Sequence, residues 1–328
     1  MLAKLIKNWL RVQSPDRILG ISRMANSARR GPALALATAF VLAACGAIGG
    51  SGPSATLCPP AALESVTVDT KTVPAVTYAV LIDRAYTGDA KRSPSYPWPQ
   101  LPRTALETVA AALPKLDLRS GDAVLGAWIS HNSNQTSEIF LPITQVARAP
   151  MPDLPTAPTA PKLPLNKLEC NEYAASVRTF NEAATVWRAK VTELQQGAIE
   201  QDQRNVASFV AATSAAIRAA APAQDPVGTD IYGGLAVASG VFTANPGTHK
   251  LVVFSDMTDT IGNPVRPDLA QSEVLVALYH RDDASDQGKG QKDWEATFKA
   301  LGARVPVFLP WAATTADKLA EQLKGSAR

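Results

Sequence analysis

The chain predicts an α/β fold: a doubly wound, mainly parallel sheet with one antiparallel edge strand, helices on both faces, and a long helical segment besides. Two observations carry this. From Ile231 onward, apolar runs of strand length alternate with helical stretches, the order that builds a parallel sheet wrapped on both faces. Earlier, DAVLGAWIS (122–130) and SEIFLPIT (137–144) are joined only by HNSNQT. A parallel crossover needs about a dozen residues, so this pair is antiparallel. With 328 residues, 46% of them hydrophobic, the chain can bury a sizeable core.

The elements follow in order. SVTVDTKTV (65–73) reads as an early strand, and VTYAVLID (76–83), apolar on both faces and ending in polar turn residues, as a central one. The proline- and aromatic-rich KRSPSYPWPQLPR is a loop, and the alanines and leucines of 104–116 favour a helix. After the antiparallel pair, the proline-dense stretch 145–166 is expected to be extended and exposed. Residues 167–221 form one long helix or two. Tyr173, Val177, Phe180, Ala184, Trp187, Val191, Leu194 and Ala198 alternate spacings of four and three, a coiled-coil-like seam. That seam either packs on the chain's own domain or forms a partner-binding arm, with a bend or projecting end expected near Gly197. Helix IYGGLAVASGVF, strands KLVVFSD and EVLVALYH, helix QKDWEATFKALG, strand RVPVFLP and helix TTADKLAEQLKG complete the chain.

The amino terminus carries its own signal. Arg29 and Arg30 precede GPALALATAFVLAAC, an apolar run too short for a comfortable permanent span. It ends in Leu42-Ala43-Ala44-Cys45, which resembles the lipobox of bacterial lipoproteins. Residues 1–44 are thus expected to be a signal peptide, with translation starting at Met24 giving a more compact leader. Lipidated Cys45 opens a small, nearly uncharged tether (45–60) ahead of the domain (61–328). This places the protein in a bacterial cell envelope, lipid-anchored and extracytoplasmic. Setting Cys45 aside leaves Cys58 and Cys170, an even pair in an oxidising compartment: one disulfide, or two buried thiols. The net charge of +3 is small and dispersed, which argues against a nucleic-acid partner.

In sheets of this kind, ligands bind beyond the carboxyl ends of central strands, where the strand order reverses. Three polar turns fall there: DRAYTGD after the first central strand, GTDIYGG entering a helix, and SDMTDT after KLVVF. Each supplies hard oxygen atoms suited to Mg²⁺, Mn²⁺ or Ca²⁺. With these three turns the sequence resembles the von Willebrand factor A-like domain, a Rossmann-type fold with a metal-ion-dependent adhesion site. The family's first loop reads Asp-x-Ser-x-Ser, and here it is Asp83-Arg84-Ala85-Tyr86-Thr87. The resemblance matches the family's threonine to Thr229 and its third-loop aspartate to Asp256. It implies a metal site of Asp83, Thr87, Thr229 and Asp256 in a binding or adhesion module whose metal takes a partner's carboxylate. Ala85 departs from the pattern, since a methyl group cannot ligate; Asp89 and Asp259 are the carboxylates placed to compensate, and with Trp311 they extend the expected contact rim. The alternative is a loop held by structural hydrogen bonds, with Asp83 and Asp256 capping neighbouring turns.

Other motifs carry less. His131, His249 and His280 stand apart without metal-ligand spacing, and no GxSxG elbow or GxxxxGK[ST] loop is present. The expected function is therefore a lipoprotein that binds a protein partner rather than an enzyme. The competing readings are a structural component of an envelope assembly docking through the helical segment, and an envelope hydrolase using Asp83 or Asp256.

Overall fold

The computed structural model describes residues 58, 62–67, 73–84, 101–222, 228–262, 264–279 and 284–324. Its centre is a six-stranded sheet in the order β3-β2-β1-β4-β5-β6. The strands are β1 (Val76–Asp83), β2 (Ala123–Ile129), β3 (Ile139–Gln145), β4 (Thr248–Phe254), β5 (Glu273–Tyr279) and β6 (Val307–Pro310). All pair in parallel except β3, which runs antiparallel to β2 at one edge. The short HNSNQT link enforces that reversal. Gly126 accommodates it, because a Cβ there would lie 2.4 Å from the Phe140 ring, which packs against Trp128 with centroids 4.5 Å apart.

Strand periodicity divides the core in two. Tyr78, Val80 and Ile82 of β1 face one apolar layer, while Ala79 and Leu81 face the other. The first layer packs under helix α1 (Leu101–Ala112), the last turns of α2 (Cys170–Ala219) and α5 (Ala316–Lys324). The second lies under α3 (Ile231–Ala244) and α4 (Ala284–Ala300). Lys250 on β4 is buried, ion-pairs with Glu273 at 2.9 Å and donates to the Leu323 carbonyl, fastening the end of α5 to the sheet.

Helix α2 departs from the expected bend: its 50 residues pass through Gly197 unbroken. At about 1.5 Å per residue it is roughly 75 Å long, far more than the sheet can cover. Only its C-terminal part packs on the core, through Val206, Phe209, Val210 and Ile217, and it runs from the lower edge of the sheet, where the parallel strands begin, towards the upper rim, where they end. At the lower edge Asp202 accepts from the Ala149 amide at 2.8 Å and from the Ser120 hydroxyl. Towards the rim, Arg103 at the start of α1 donates to the Arg218 carbonyl at 3.1 Å. The first 30 or so residues of α2 therefore project below the sheet by about 48 Å.

This projection is a stalk built from three passes of the chain. The proline-rich segment runs back along α2: Asn205 donates to the Ala147 carbonyl at 3.0 Å, Trp187 Nε1 to the Pro155 carbonyl at 2.8 Å, and Glu169 accepts from the Leu165 amide at 2.8 Å. Sixteen residues at about 3.1 Å each cover the same ~48–50 Å that α2 covers at 1.5 Å. The third pass is the N-terminal segment. Cys58 is disulfide-bonded to Cys170, the first residue of α2, and the Glu64 amide donates to Asn181 at 3.0 Å. Val177, Phe180, Ala184, Trp187 and Val191 of the seam are buried beneath these segments. The described part of the expected early strand, 65–67, is irregular and belongs to the stalk.

The lower edge is closed by Asp122, whose carboxylate accepts from the amides of Val76 at 2.7 Å and Arg119 at 2.8 Å. Burial pushes its carboxyl above the ordinary range, against the pull of those two amides. The folded chain then holds this proton more tightly than the unfolded one. Asp122's contribution to stability is present below the ordinary carboxylate pKa and declines as pH rises through the raised one. Denaturation measured from mild acid to neutrality is expected to show the wild type losing stability relative to Asp122→Asn over that window.

Candidate functional site

The order β3-β2-β1-β4-β5-β6 places the topological switch between β1 and β4, because the chain leaves β1 towards β2 and returns to β1's other side as β4. Asp83 ends β1, and the turn Ser255-Asp256 follows β4 directly. Both carboxylates are buried, Asp83 at 3% and Asp256 at 9% exposure. Ser255 joins them: its hydroxyl donates to Asp83 Oδ2 at 2.8 Å and accepts from the Met257 amide at 2.9 Å. Asp256 accepts from the amide and the hydroxyl of Thr258, at 2.8 and 2.9 Å.

The loop of Thr229 and Asp230 reaches the same rim beside the end of β2. The Asp230 amide donates to the Ser130 carbonyl at 2.7 Å, and the Ser133 hydroxyl donates to the Asp230 carbonyl at 2.7 Å. Asp230 caps α3 by accepting from the Gly233 amide at 2.8 Å. Glycine at 233 leaves room for that cap, since a Cβ there would come within 2.1 Å of the carboxylate and displace it. Thr229 is clasped to the third loop: its amide donates to Thr260 Oγ1 at 2.9 Å and its carbonyl accepts from the Thr260 amide at 3.0 Å. Its own hydroxyl is fully buried and has no hydrogen-bond partner among the described residues. A buried hydroxyl in that state costs about 1–3 kcal/mol, so it calls for an explanation. Asp259 Oδ2, on the same loop, is likewise buried without a partner, while Oδ1 accepts from the Ile261 and Gly262 amides.

Asp83, Thr229 and Asp256 thus belong to three loops of one rim, interlocked through Ser255, Ser130 and Thr260. Thr87 and Asp89 lie outside the described residues, as do Ala85, Cys45 and His280. Trp311 follows β6, two strands away from β4, and is partly buried against the core. His249 is a packed residue, stacked on Phe242 with centroids 4.6 Å apart and bonded to the Asn245 carbonyl. Among the described residues, no group of three His, Cys, Asp or Glu side chains is arranged to hold a metal. A cation here would have to lean on hydroxyl groups as much as on carboxylates.

Sequence reasoning did not single out Ser255, although the Ser-Asp pair ending a strand was in view. It also passed over Arg84, whose guanidinium pairs with Glu138 at 2.7 Å in a largely buried bridge between β1 and the turn before β3. Nor does any residue pattern announce Met257, which adopts a left-handed backbone (φ 62°) held by Ser255 and by Trp294 Nε1 on its carbonyl at 2.8 Å.

No protein-family model and no curated protein matches the chain. Among solved structures, it is similar to a von Willebrand factor type A protein from Catenulispora acidiphila, at 12% identity and TM-score 0.35, over 77% of this chain and 43% of that one. It is also similar to the pilus adhesin SpaC from Lactobacillus rhamnosus GG in two forms. One gives 11% identity and TM-score 0.39; the other, the open conformation, gives 10% and 0.33, and both cover 78% of this chain and 30% of the adhesin. The chain spans less than half the length of each. Likeness at this level says nothing about ligands, and the fold class stands on the strand order and register.

Ser255 is the joint of the rim. Ser255→Ala is expected to leave the buried Asp83 carboxylate short of a donor and the Met257 amide short of an acceptor, costing about 2–3 kcal/mol, read as a lower denaturant midpoint at unchanged slope.

Proposed function

We propose that this is a lipid-anchored, extracytoplasmic bacterial protein whose von Willebrand factor A-like domain binds a protein partner at the rim of Asp83, Thr229 and Asp256, with a divalent cation assisting. It is a binding module rather than a hydrolase. The observation that carries the reading is the buried, unpartnered Thr229 hydroxyl, set in a rim with two buried carboxylates at the switch point. A hard cation explains a hydroxyl that no donor or acceptor among the described residues explains, and these donors fit Mg²⁺, Mn²⁺ or Ca²⁺. Asp83, Thr229 and Asp256 would hold the ion, with Thr87 from the first loop. Bound there, the ion would supply an open position for a carboxylate of the partner. The chain's own residues orient that position: Ser255 fixes Asp83, Thr258 fixes Asp256, and Thr260 fixes the Thr229 backbone. With few charged donors, binding in the millimolar range is expected.

Docking through the helical segment is the weaker alternative, since the seam's buried residues are covered by the chain's own stalk segments. Membrane attachment is assigned to Cys45, and among the described residues no helix is long and apolar enough to cross a membrane.

Calorimetric titration with Mg²⁺, Mn²⁺ and Ca²⁺ tests the metal. Heat is expected with the wild type and none with Thr229→Val. In chelator the same variant should be about 1 kcal/mol more stable than wild type, because it removes an unsatisfied buried hydroxyl. Wild-type protein that gives no heat at millimolar metal overturns the metal; a partner captured from detergent extracts and kept by Asp83→Ala overturns the rim.

A further inference from the structure

The far end of the stalk carries an apolar cluster that the rim does not use. Leu163, Leu165 and Leu168 are 76%, 84% and 92% exposed, within six residues of one another where the proline-rich segment turns into α2. The turn is built rather than loose. Asn166 caps it by accepting from the amides of Leu168 at 2.9 Å and Glu169 at 3.2 Å, and Glu169 in return accepts from the Leu165 amide and the Asn166 side chain. Leu163 and Leu165 share a groove with Tyr173. Lys162 and Lys167 flank the cluster, and exposed Glu172 stands one turn into α2. Three leucines held in water on a rigid turn mark a contact surface.

What covers them follows from where the chain enters. Cys58 is bonded to Cys170, two residues past Leu168, so the N-terminal segment joins the folded structure at this tip and not at the sheet. Cys45 precedes Cys58 by 13 residues, a reach of at most about 45 Å. We infer that the tip formed by Leu163, Leu165 and Leu168 is a lipid-contacting surface that seats on the membrane holding the chain's own anchor. The inference rests on the proposed acylation of Cys45. A lipidated Cys45 carries two or three acyl chains and holds the chain on the membrane by itself; an apolar contact at the tip beside it fixes how the stalk stands on that membrane. Leucines enter the acyl boundary while Lys162 and Lys167 remain at headgroup level. The stalk then stands on the membrane, with the binding rim at its opposite end, roughly 75 Å out from stalk and sheet lengths together.

The test uses the full-length protein, extracted with its anchor and reconstituted into vesicles of phosphatidylethanolamine and phosphatidylglycerol. The chain already has six tryptophans, so the reading is the difference emission of Leu168→Trp over its parent, expected to be blue-shifted and quenched at least twofold by lipids brominated near the headgroup. A second arm uses the mature chain from position 45 with Cys45→Ser, lacking residues 1–44, with and without Leu163→Ser, Leu165→Ser and Leu168→Ser together. The intact tip should float with the same vesicles, and the triple variant should bind at least tenfold more weakly while keeping the helical circular dichroism of its parent. Mass measurement of the N-terminal peptide reads acylation separately. An acylated chain with no quenching at position 168 and no tip-dependent flotation overturns the inference and leaves the anchor standing. Tip-dependent flotation together with a wild-type N-terminal peptide that carries no acyl group overturns the anchor, and leaves the leucines as a lipid contact without it. Tip-dependent self-association in sedimentation without flotation assigns the leucines to a second copy and overturns the inference.

Discussion

The parallel pairing of β1 with β4 is the constraint on which the rest of the molecule depends. These strands are far apart in sequence, separated by helix α1, the antiparallel edge, the stalk and helix α3. Closing so long a loop is entropically costly, and buried apolar surface on both faces of the two strands offsets it. The pairing also creates the rim. A chain that leaves β1 in one direction and comes back on the other side cannot bridge the crevice with its own connections, so the polar ends of both strands are left facing an opening. The Ser255 hydroxyl on Asp83 ties the two strand ends across it.

Helix α2 serves two environments with one unbroken rod. Its last turns are a core element, with Phe209 and Ile217 buried in the layer beneath α1; its first turns have no sheet to rest on and rely on the proline-rich segment and residues 62–67. Asp202 sits at the transition, holding both Ser120 of the domain and Ala149 of the strap. Continuity of the helix means that bending the stalk would break backbone hydrogen bonds rather than flex a linker.

The sheet was largely legible because its strands obey period two and are bounded by turn residues: VTYAVLID reads as β1 to the residue, and the HNSNQT link dictated the antiparallel edge. The stalk was only half legible. The seam of Tyr173 to Ala198 pointed to a buried side of α2, which holds from Val177 to Val191, but the covering segments, poor in periodic pattern and rich in proline, carry no signal of where they lie. Gly197 suggested a break on propensity, yet its cost in a helix is only about 1 kcal/mol, which dozens of flanking helical hydrogen bonds override. At the rim, Asp83, Thr229 and Asp256 stood out by position. Ser255 did not, because its role depends on the facing strand end, a relation that exists only in three dimensions.

The two long passes of the stalk advance at different rates, about 1.5 Å per residue for α2 and about 3.1 Å for the strap beside it. Their lengths are therefore geared together at about two to one. A related chain of different reach could not gain or lose residues in one pass alone without shearing Trp187 from Pro155 or Asp202 from Ala149. Heptad increments in the helix, needed to keep the seam facing inward, would have to be matched by three or four residues in the strap. Stalk length is a quantity this architecture can change only in steps, each close to 10 Å.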